Sequence, residues 1–451
     1  MQPHIIAVDP AITPLDAWRC FENTSEAVLL HSATTEHPLG RYSYFAADPI
    51  TTIVADAECW PEVAARIRAT FHPVKVLPGV PPMQGGWIGW IGYEAGRAFT
   101  RQPRHTAGPA PTRDIVLGLF DWVLAWDHAA GTTWLVSTGL DATGNRDAGR
   151  GVRRAGKVRR RLRIPAAMPG QLNGDAVIRP DCAHHEFCAA VGRVVDHIRA
   201  GDIFQANLAQ RFVVPFGGDP ADLYSNICAR TAAPMAALIR QGDVVIASAS
   251  PERFVRLDAS TREVETRPIK GTRRRDADPG SDAALAVELT NSAKDRAENV
   301  MIVDVLRNDL SRVCEPGSLS VPTLCAIESH PTVHHMVSTV TGRLRSGRDA
   351  LDLLAATFPG GSITGAPKIR AMEIIASLEP VARGVYTGAI LWIGLDGSMD
   401  SSVAIRTVTV TGSVAMVYAG GGVTALSEPE AEYQETIDKA RALLDAFEQR
   451  Q

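Results

Sequence analysis

From Asp181 to its end the sequence alternates helical and strand patterns, and this alternation constrains the fold more than any other feature. Phe187, Val191, Val194, Val195 and Ile198 line one face of a helix predicted over 186–198, with Gly201 placed to cap it. Residues 244–249 read as a short buried strand that runs into Ser250-Pro251-Glu252. A long, irregular helical region is expected over 283–310, and a helix over 364–378 with Pro367 in its first turn. Strands follow at 387–393 and 403–411. A last helix spans 427–449, opened by a capping box of Ser427 and Glu430. The expected class is α/β (α+β).

The earlier part is patterned more loosely. An apolar run at 27–30 precedes His31-Ser32, and 41–45 reads as an aromatic strand. Residues 85–94 interleave glycine with tryptophan and isoleucine, which points to close backbone approach. No lysine follows at the offset a phosphate loop needs, so the run is read as structural. Two strands around a turn at 127–131 are expected within 114–138. Residues 141–174 mix glycine and proline with an arginine-rich run over 150–163. That run lacks aromatic residues and lies in an acidic chain, so it reads as a solvated helix and linker. The expected organisation is an N-terminal lobe over 1–145, a helix and linker over 146–180 and a larger domain over 181–447.

Composition narrows the function classes. Of 451 residues, 45% are hydrophobic and 21% charged, an ordinary globular balance, and the net charge of −4 argues against general nucleic-acid binding. No apolar run is long enough to cross a bilayer, so no membrane partner is expected. Residues 1–10 lack the basic start of a secretory signal. The seven cysteines are scattered and form no Cys-x-x-Cys pair, so neither a disulfide framework nor a thiolate zinc site is predicted, and a cytoplasmic setting fits.

Several residues are candidates for chemistry, each beside a plainer reading. In Pro268-Ile269-Lys270-Gly271-Thr272 the lysine sits at a stiff corner; it is either a solvated turn residue or a desolvated, nucleophilic amine. Asp295 with Glu298, and Glu432 with Glu435, share helix faces as carboxylate pairs, either solvated or cation-binding. The glycine-rich stretch from Gly360 to Lys368 leads into a helix and could hold an anion. A nucleotide-hydrolase P-loop is a rival reading there, with 300–304 imitating its magnesium-binding strand, but the lysine order is wrong. Arg406, inside an apolar strand, needs a carboxylate from the protein or from a ligand. His335 is either a core histidine or a site residue, and Glu252 either a solvated residue after a proline or an acid/base group.

Together these blocks resemble the chorismate-binding enzymes, the family of the aminodeoxychorismate and anthranilate synthases, closely over 191–439. The resemblance implies a two-lobed fold of packed β-sheets with helices outside. Pro-Ile-Lys-Gly-Thr is similar to the aminodeoxychorismate synthase component I signature, where Lys270 is the catalytic amine; anthranilate synthase component I, the alternative, usually has alanine there. By the same resemblance Glu252 is the acid/base carboxylate. Gly271, Thr272, His335, Ser362, Tyr386, Arg406, Gly420, Gly421 and Gly422 contact the substrate. Glu298 and Glu435 hold Mg²⁺, with Asp295 and Glu432 as secondary partners. Leu29-Leu30-His31-Ser32 matches a tryptophan site contacted by Ser32, although His31 replaces its usual glutamate. Gln205 stands where water-adding relatives carry a lysine base, which favours ammonia as the incoming group. The implied reaction is amination of chorismate at C4 on the route to p-aminobenzoate and folate, with ammonia from a separate glutamine amidotransferase subunit.

Overall fold

The computed structural model describes residues 2–72, 77, 79–100, 110–164 and 178–448. Two large sheets, one of twelve strands and one of ten, pack face to face with helices on their outer faces. The two-residue period of the strands produces this layering. In the first sheet Val28, Ile239 and Ile246 point to the sheet–sheet interface, while their neighbours Leu29, Leu238, Val245 and Ala247 point outward under the helices Pro14–Cys20, Pro220–Arg230 and Pro429–Leu444. In the second sheet Ile88, Trp90, Ile390 and Trp392 face the interface, and Trp87, Ile91, Leu391 and Ile393 face Trp60–Arg68, Ala293–Ser311 and Ala350–Thr357.

Each sheet joins early and late chain. Glu26–His31 pairs antiparallel with Met235–Gln241 in the first sheet, and Gly86–Ile91 with Ala389–Gly394 in the second. The break expected at 146–180 therefore separates stretches of chain and not sheets. The arginine-rich run forms the helix Ala148–Arg161, whose Ala155 and Val158 are buried, while Arg154 reaches Asp121 at 3.2 Å. Residues 165–177 of the expected linker, and Gln449 at the end of the predicted last helix, lie outside the described residues.

Several local expectations are corrected. Residues 114–138 form three strands, Ile115–Phe120, Trp122–Asp127 and Thr132–Ser137. The helical region over 283–310 is two helices, Pro279–Asn291 and Ala293–Ser311, because Ser292 is extended and caps the second. The helix predicted from 364 begins at Lys368, with Pro367 as its cap; before it come a short 3₁₀ turn and the two-residue strand Gly365–Ala366. The strand predicted at 403–411 is split into Met399–Val403 of the second sheet and Thr407–Thr411 of the first. No capping box forms at Ser427, whose hydroxyl donates to Glu432 instead, 2.6 Å away. Among the described residues no helix is long and apolar enough to cross a membrane.

Candidate active site

A cavity of about 1400 Å³ opens where the two sheets exchange strands. Its lining brings together Glu252, Lys270, Gly271, Thr272, Asp295, Glu298, His335, Ser362, Tyr386, Arg406, Gly420, Gly422 and Glu435. Gly421 and Glu432 lie immediately behind it, and Ser32 is elsewhere.

Lys270 lies on the strand Ile269–Arg274 of the second sheet. Glu252 is not on an adjoining strand; it sits in the crossover between Val244–Ser250 of the first sheet and Arg253–Leu257 of the second. The Ser362 hydroxyl donates to Glu252 Oε1 at 2.7 Å. Burial pushes the Glu252 carboxyl up to about 7, against the opposing pull of Ser362 and the Lys270 ammonium. Burial also pushes the Lys270 amine below the ordinary lysine range; Glu298 opposes this, Lys439 reinforces it, and Glu252 and Glu435 oppose it more weakly. Burial thus shifts Glu252 toward its protonated form and Lys270 toward its neutral form, the direction acid-assisted nucleophilic attack needs. Gly271 adopts φ +88°, and a Cβ there would lie 2.9 Å from the Cβ of Asp295, so the corner beside Lys270 has room only for glycine.

Arg406 occupies the crossover between Met399–Val403 and Thr407–Thr411, with φ +51°. Its carbonyl accepts from the Ala249 N–H at 3.0 Å, but among the described residues its guanidinium has no hydrogen bond or ion pair, and it faces the cavity. The expected strand position would have demanded a buried partner; the crossover instead turns the guanidinium toward the cavity. His335 Nδ1 lies 2.8 Å from the Thr272 hydroxyl, across the pairing of Ile269–Arg274 with Val333–Arg343. Burial, reinforced by Arg406, pushes His335 well below the usual histidine range, so its ring is neutral, and its Nε2 is buried without a partner. Tyr386 stacks on Tyr418 at 5.2 Å. An unpaired guanidinium and an unused imidazole nitrogen in one cavity form a receptor for an acid.

Opposite them, the helices Ala293–Ser311 and Pro429–Leu444 bring Asp295, Glu298, Glu432 and Glu435 to one wall. Asp295 meets Arg273 at 3.2 Å, Glu432 accepts from Ser427, and Glu435 meets Lys439 at 2.5 Å. Glu298 has no hydrogen bond or ion pair among the described residues; burial raises its carboxyl, opposed by Lys270 and Lys294. A Cβ on Gly421 would lie 3.1 Å from Glu432 and 3.2 Å from Glu435, so bare backbone is what lets these carboxylates approach. Carboxylates on one wall of an open cavity suit a hard divalent cation that keeps several water ligands.

The glycine-rich stretch does not act as a phosphate loop. Lys368 is spent on Asp309 and on the Thr357 carbonyl, 3.0 Å away, and the run 300–304 is helical. Ser32 lines a separate cavity of about 360 Å³, its hydroxyl donating to the Tyr42 carbonyl at 2.7 Å, while His31 pairs with the Tyr224 hydroxyl at 2.9 Å. Sequence reasoning missed Asn207 and Lys294, which line the cavity; Lys294 moderates the acidic wall together with Lys439. Asn207 carries no local signal because strand pairing draws it in, whereas Lys439 pairs with Glu435 at the i+4 helical spacing that the sequence shows.

Fold and site together define an enzyme that receives a small acid between an acidic wall and a lysine–glutamate pair. A family model for chorismate binding enzymes matches residues 25–445, and the chain belongs to that family. It is 40% identical over 437 residues to aminodeoxychorismate synthase component 1 of Salmonella typhimurium, covering 94% of this chain and 93% of that one. It is 38% identical over 450 residues to anthranilate synthase component 1 of Streptomyces coelicolor, covering 97% and 87%. The crystal structure of anthranilate synthase component I from Streptococcus pneumoniae superposes with a TM-score of 0.79 at 31% identity, covering 89% of this chain and 92% of that one.

Proposed function

We propose that the chain is the chorismate-aminating component of an aminodeoxychorismate synthase, converting chorismate and ammonia to 4-amino-4-deoxychorismate. The observation that carries this reading is the one cavity lined by Lys270, Glu252 and Arg406, in which the Glu252 carboxyl is pushed up and the Lys270 amine pushed down. Arg406 binds a substrate carboxylate, and His335, Thr272, Ser362, Tyr386 and the Gly420–Gly422 backbone shape the pocket around the ring. The Lys270 amine attacks ring carbon C2; both conjugated ring double bonds shift, and the C4 hydroxyl leaves as water with the proton of Glu252. Ammonia then forms the new bond at C4, both double bonds shift back, and the lysine amine departs. Glu252 recovers its proton from the incoming nitrogen, so the net change is exchange of hydroxyl for amine with release of water. Glu298 and Glu435, with Asp295 and Glu432 behind them, are the residues that would hold Mg²⁺, which supplies charge neutralisation for a substrate carboxylate.

Ammonia comes from a separate glutamine amidotransferase subunit, a reading supported by the designation component 1 carried by relatives such as that of Salmonella typhimurium. Gln205 is buried and has no base chemistry to offer water, which favours amination over hydration. Tryptophan in the smaller cavity beside Ser32 is a separate proposal; since His31 is not a carboxylate, the ammonium of the amino acid needs another acceptor there.

The test is product analysis with chorismate, Mg²⁺ and excess ammonium, with and without an added aminodeoxychorismate lyase. p-Aminobenzoate that forms only with the lyase is the expected result; anthranilate would overturn amination at C4 in favour of C2. Lys270→Ala should cut the rate sharply or redirect the amine to C2, and an unchanged rate and product would remove the covalent step.

A further inference from the structure

The head of the last helix carries a second cluster, which the chemistry above does not use. His184 and Cys188 stand one turn apart on the helix His184–Arg199, and Glu430 lies in the first turn of Pro429–Leu444. His184 Nε2 is 2.8 Å from Glu430 Oε2 and 3.7 Å from Cys188 Sγ. One donor atom from each of the three residues lies within 4.8 Å of the others. A tetrahedral zinc ion, with bonds of about 2.0–2.1 Å to N and O and about 2.3 Å to S, spaces its donor atoms roughly 3.3–3.6 Å apart. The nitrogen–sulfur distance already matches that spacing closely, and the nitrogen–oxygen pair has only to open from a hydrogen bond.

Two of the donors have further contacts, while the exposed Glu430 carboxylate is held by His184. Tyr433 packs its ring edge-on against His184, with centroids 4.5 Å apart, fixing the direction of the imidazole. The Cys188 thiol makes only long contacts, 3.7 Å to His184 and 3.7 Å to the Pro429 carbonyl, so it has no strong hydrogen bond to surrender. We propose that His184, Cys188 and Glu430 form a binding site for a thiophilic divalent transition metal of the zinc class, clipping the head of the last helix to the helix His184–Arg199. Imidazole and thiolate select such a metal over Mg²⁺, which prefers the all-oxygen wall of the main cavity. Binding releases the thiol proton to solvent and leaves the fourth position to water. Because Glu432 and Glu435 stand on the same helix, the clip would steady the wall that holds them. The seven cysteines gave no sign of this in sequence, since the third donor arrives from a helix packed alongside.

The experiment titrates the full chain with Co²⁺ in excess Mg²⁺ and follows the near-ultraviolet thiolate-to-cobalt charge-transfer band. One equivalent should saturate the band, and Cys188→Ser should abolish it. His184→Ala and Glu430→Gln should weaken binding by at least the roughly 10–100-fold that loss of even an outer-shell partner causes. Zn²⁺ should compete for the same site and raise the melting temperature of the unmodified chain but not of Cys188→Ser. Circular dichroism of each variant separates lost binding from lost folding. Absence of the band, or its survival in folded Cys188→Ser, would overturn the proposal.

Discussion

Two adjacent clusters of buried charge use the same residue types and come to opposite ends. Arg383, 1% exposed, donates to Glu379 at 2.8 and 2.6 Å, to the Asn207 carbonyl at 2.6 Å, to the Ile363 carbonyl at 3.1 Å and to Thr387 at 3.2 Å. Glu94 beside it accepts from the backbone N–H groups of Arg383 and Gly384, both at 2.9 Å. The Arg406 guanidinium has no partner among the described residues, and Glu252 has the Ser362 hydroxyl, the Ile269 N–H and the cavity. Burial pushes both glutamates up to about 7. A raised carboxyl therefore does not by itself mark an acid catalyst. The saturated cluster stitches the sheets together, whereas the unsaturated one keeps its bonding capacity for a ligand.

The largest expected effect lies on the saturated side. Arg383→Ala leaves Glu379 buried without its partner and should lower stability by about 3–5 kcal/mol in denaturant unfolding. A loss under about 1 kcal/mol would mean that water replaces the guanidinium, and the contrast would fail on that side.

Glu252 sharpens the contrast through pH. Its folded pKa, about 7, lies above its ordinary 4.5, so its contribution to stability is complete below the ordinary value and is lost as pH rises through 7. Glu252→Gln removes this titration, and at pH 8 the variant should be more stable than the parent by about 3 kcal/mol, shrinking to little at pH 4. The same change should lower the amination rate about 10²–10⁴-fold. With free ammonia held constant, the parent should lose kcat/KM above about pH 7 as the acid ionises, and the variant should not.

The smallest effect is expected at Arg406. Arg406→Ala should lower kcat/KM for chorismate about 10- to 150-fold, the equivalent of a charge-assisted contact of 1.5–3 kcal/mol, without loss of stability. Destabilisation comparable to that of Arg383→Ala would show that Arg406 has a structural partner after all.

The local elements were legible because their signals are local. The apolar face from Phe187 to Ile198 and the buried strand ending at Ser250 form as the side-chain periods require. The misreadings have separate causes. Ser427 and Glu430 have capping-box spacing, yet the helix starts at Pro429, so the Ser427 hydroxyl meets Glu432 at the helix head instead. The continuous apolar pattern around Arg406 hides a change of sheet, because a residue leaving one buried sheet for another stays in apolar company throughout.

The sequence alone determined the buried strand and helix periods, the stiff corner at Pro268–Gly271 and the motifs that carry the family resemblance, since each depends on residues close together in the chain. Only the tertiary structure decided that the Arg406 guanidinium finds no partner among the described residues, that Glu252 from a crossover and Lys270 from a strand line one cavity, and that Glu430 completes a cluster with His184 and Cys188. Those outcomes depend on pairings between distant strands and packing between distant helices, which no short stretch encodes by itself.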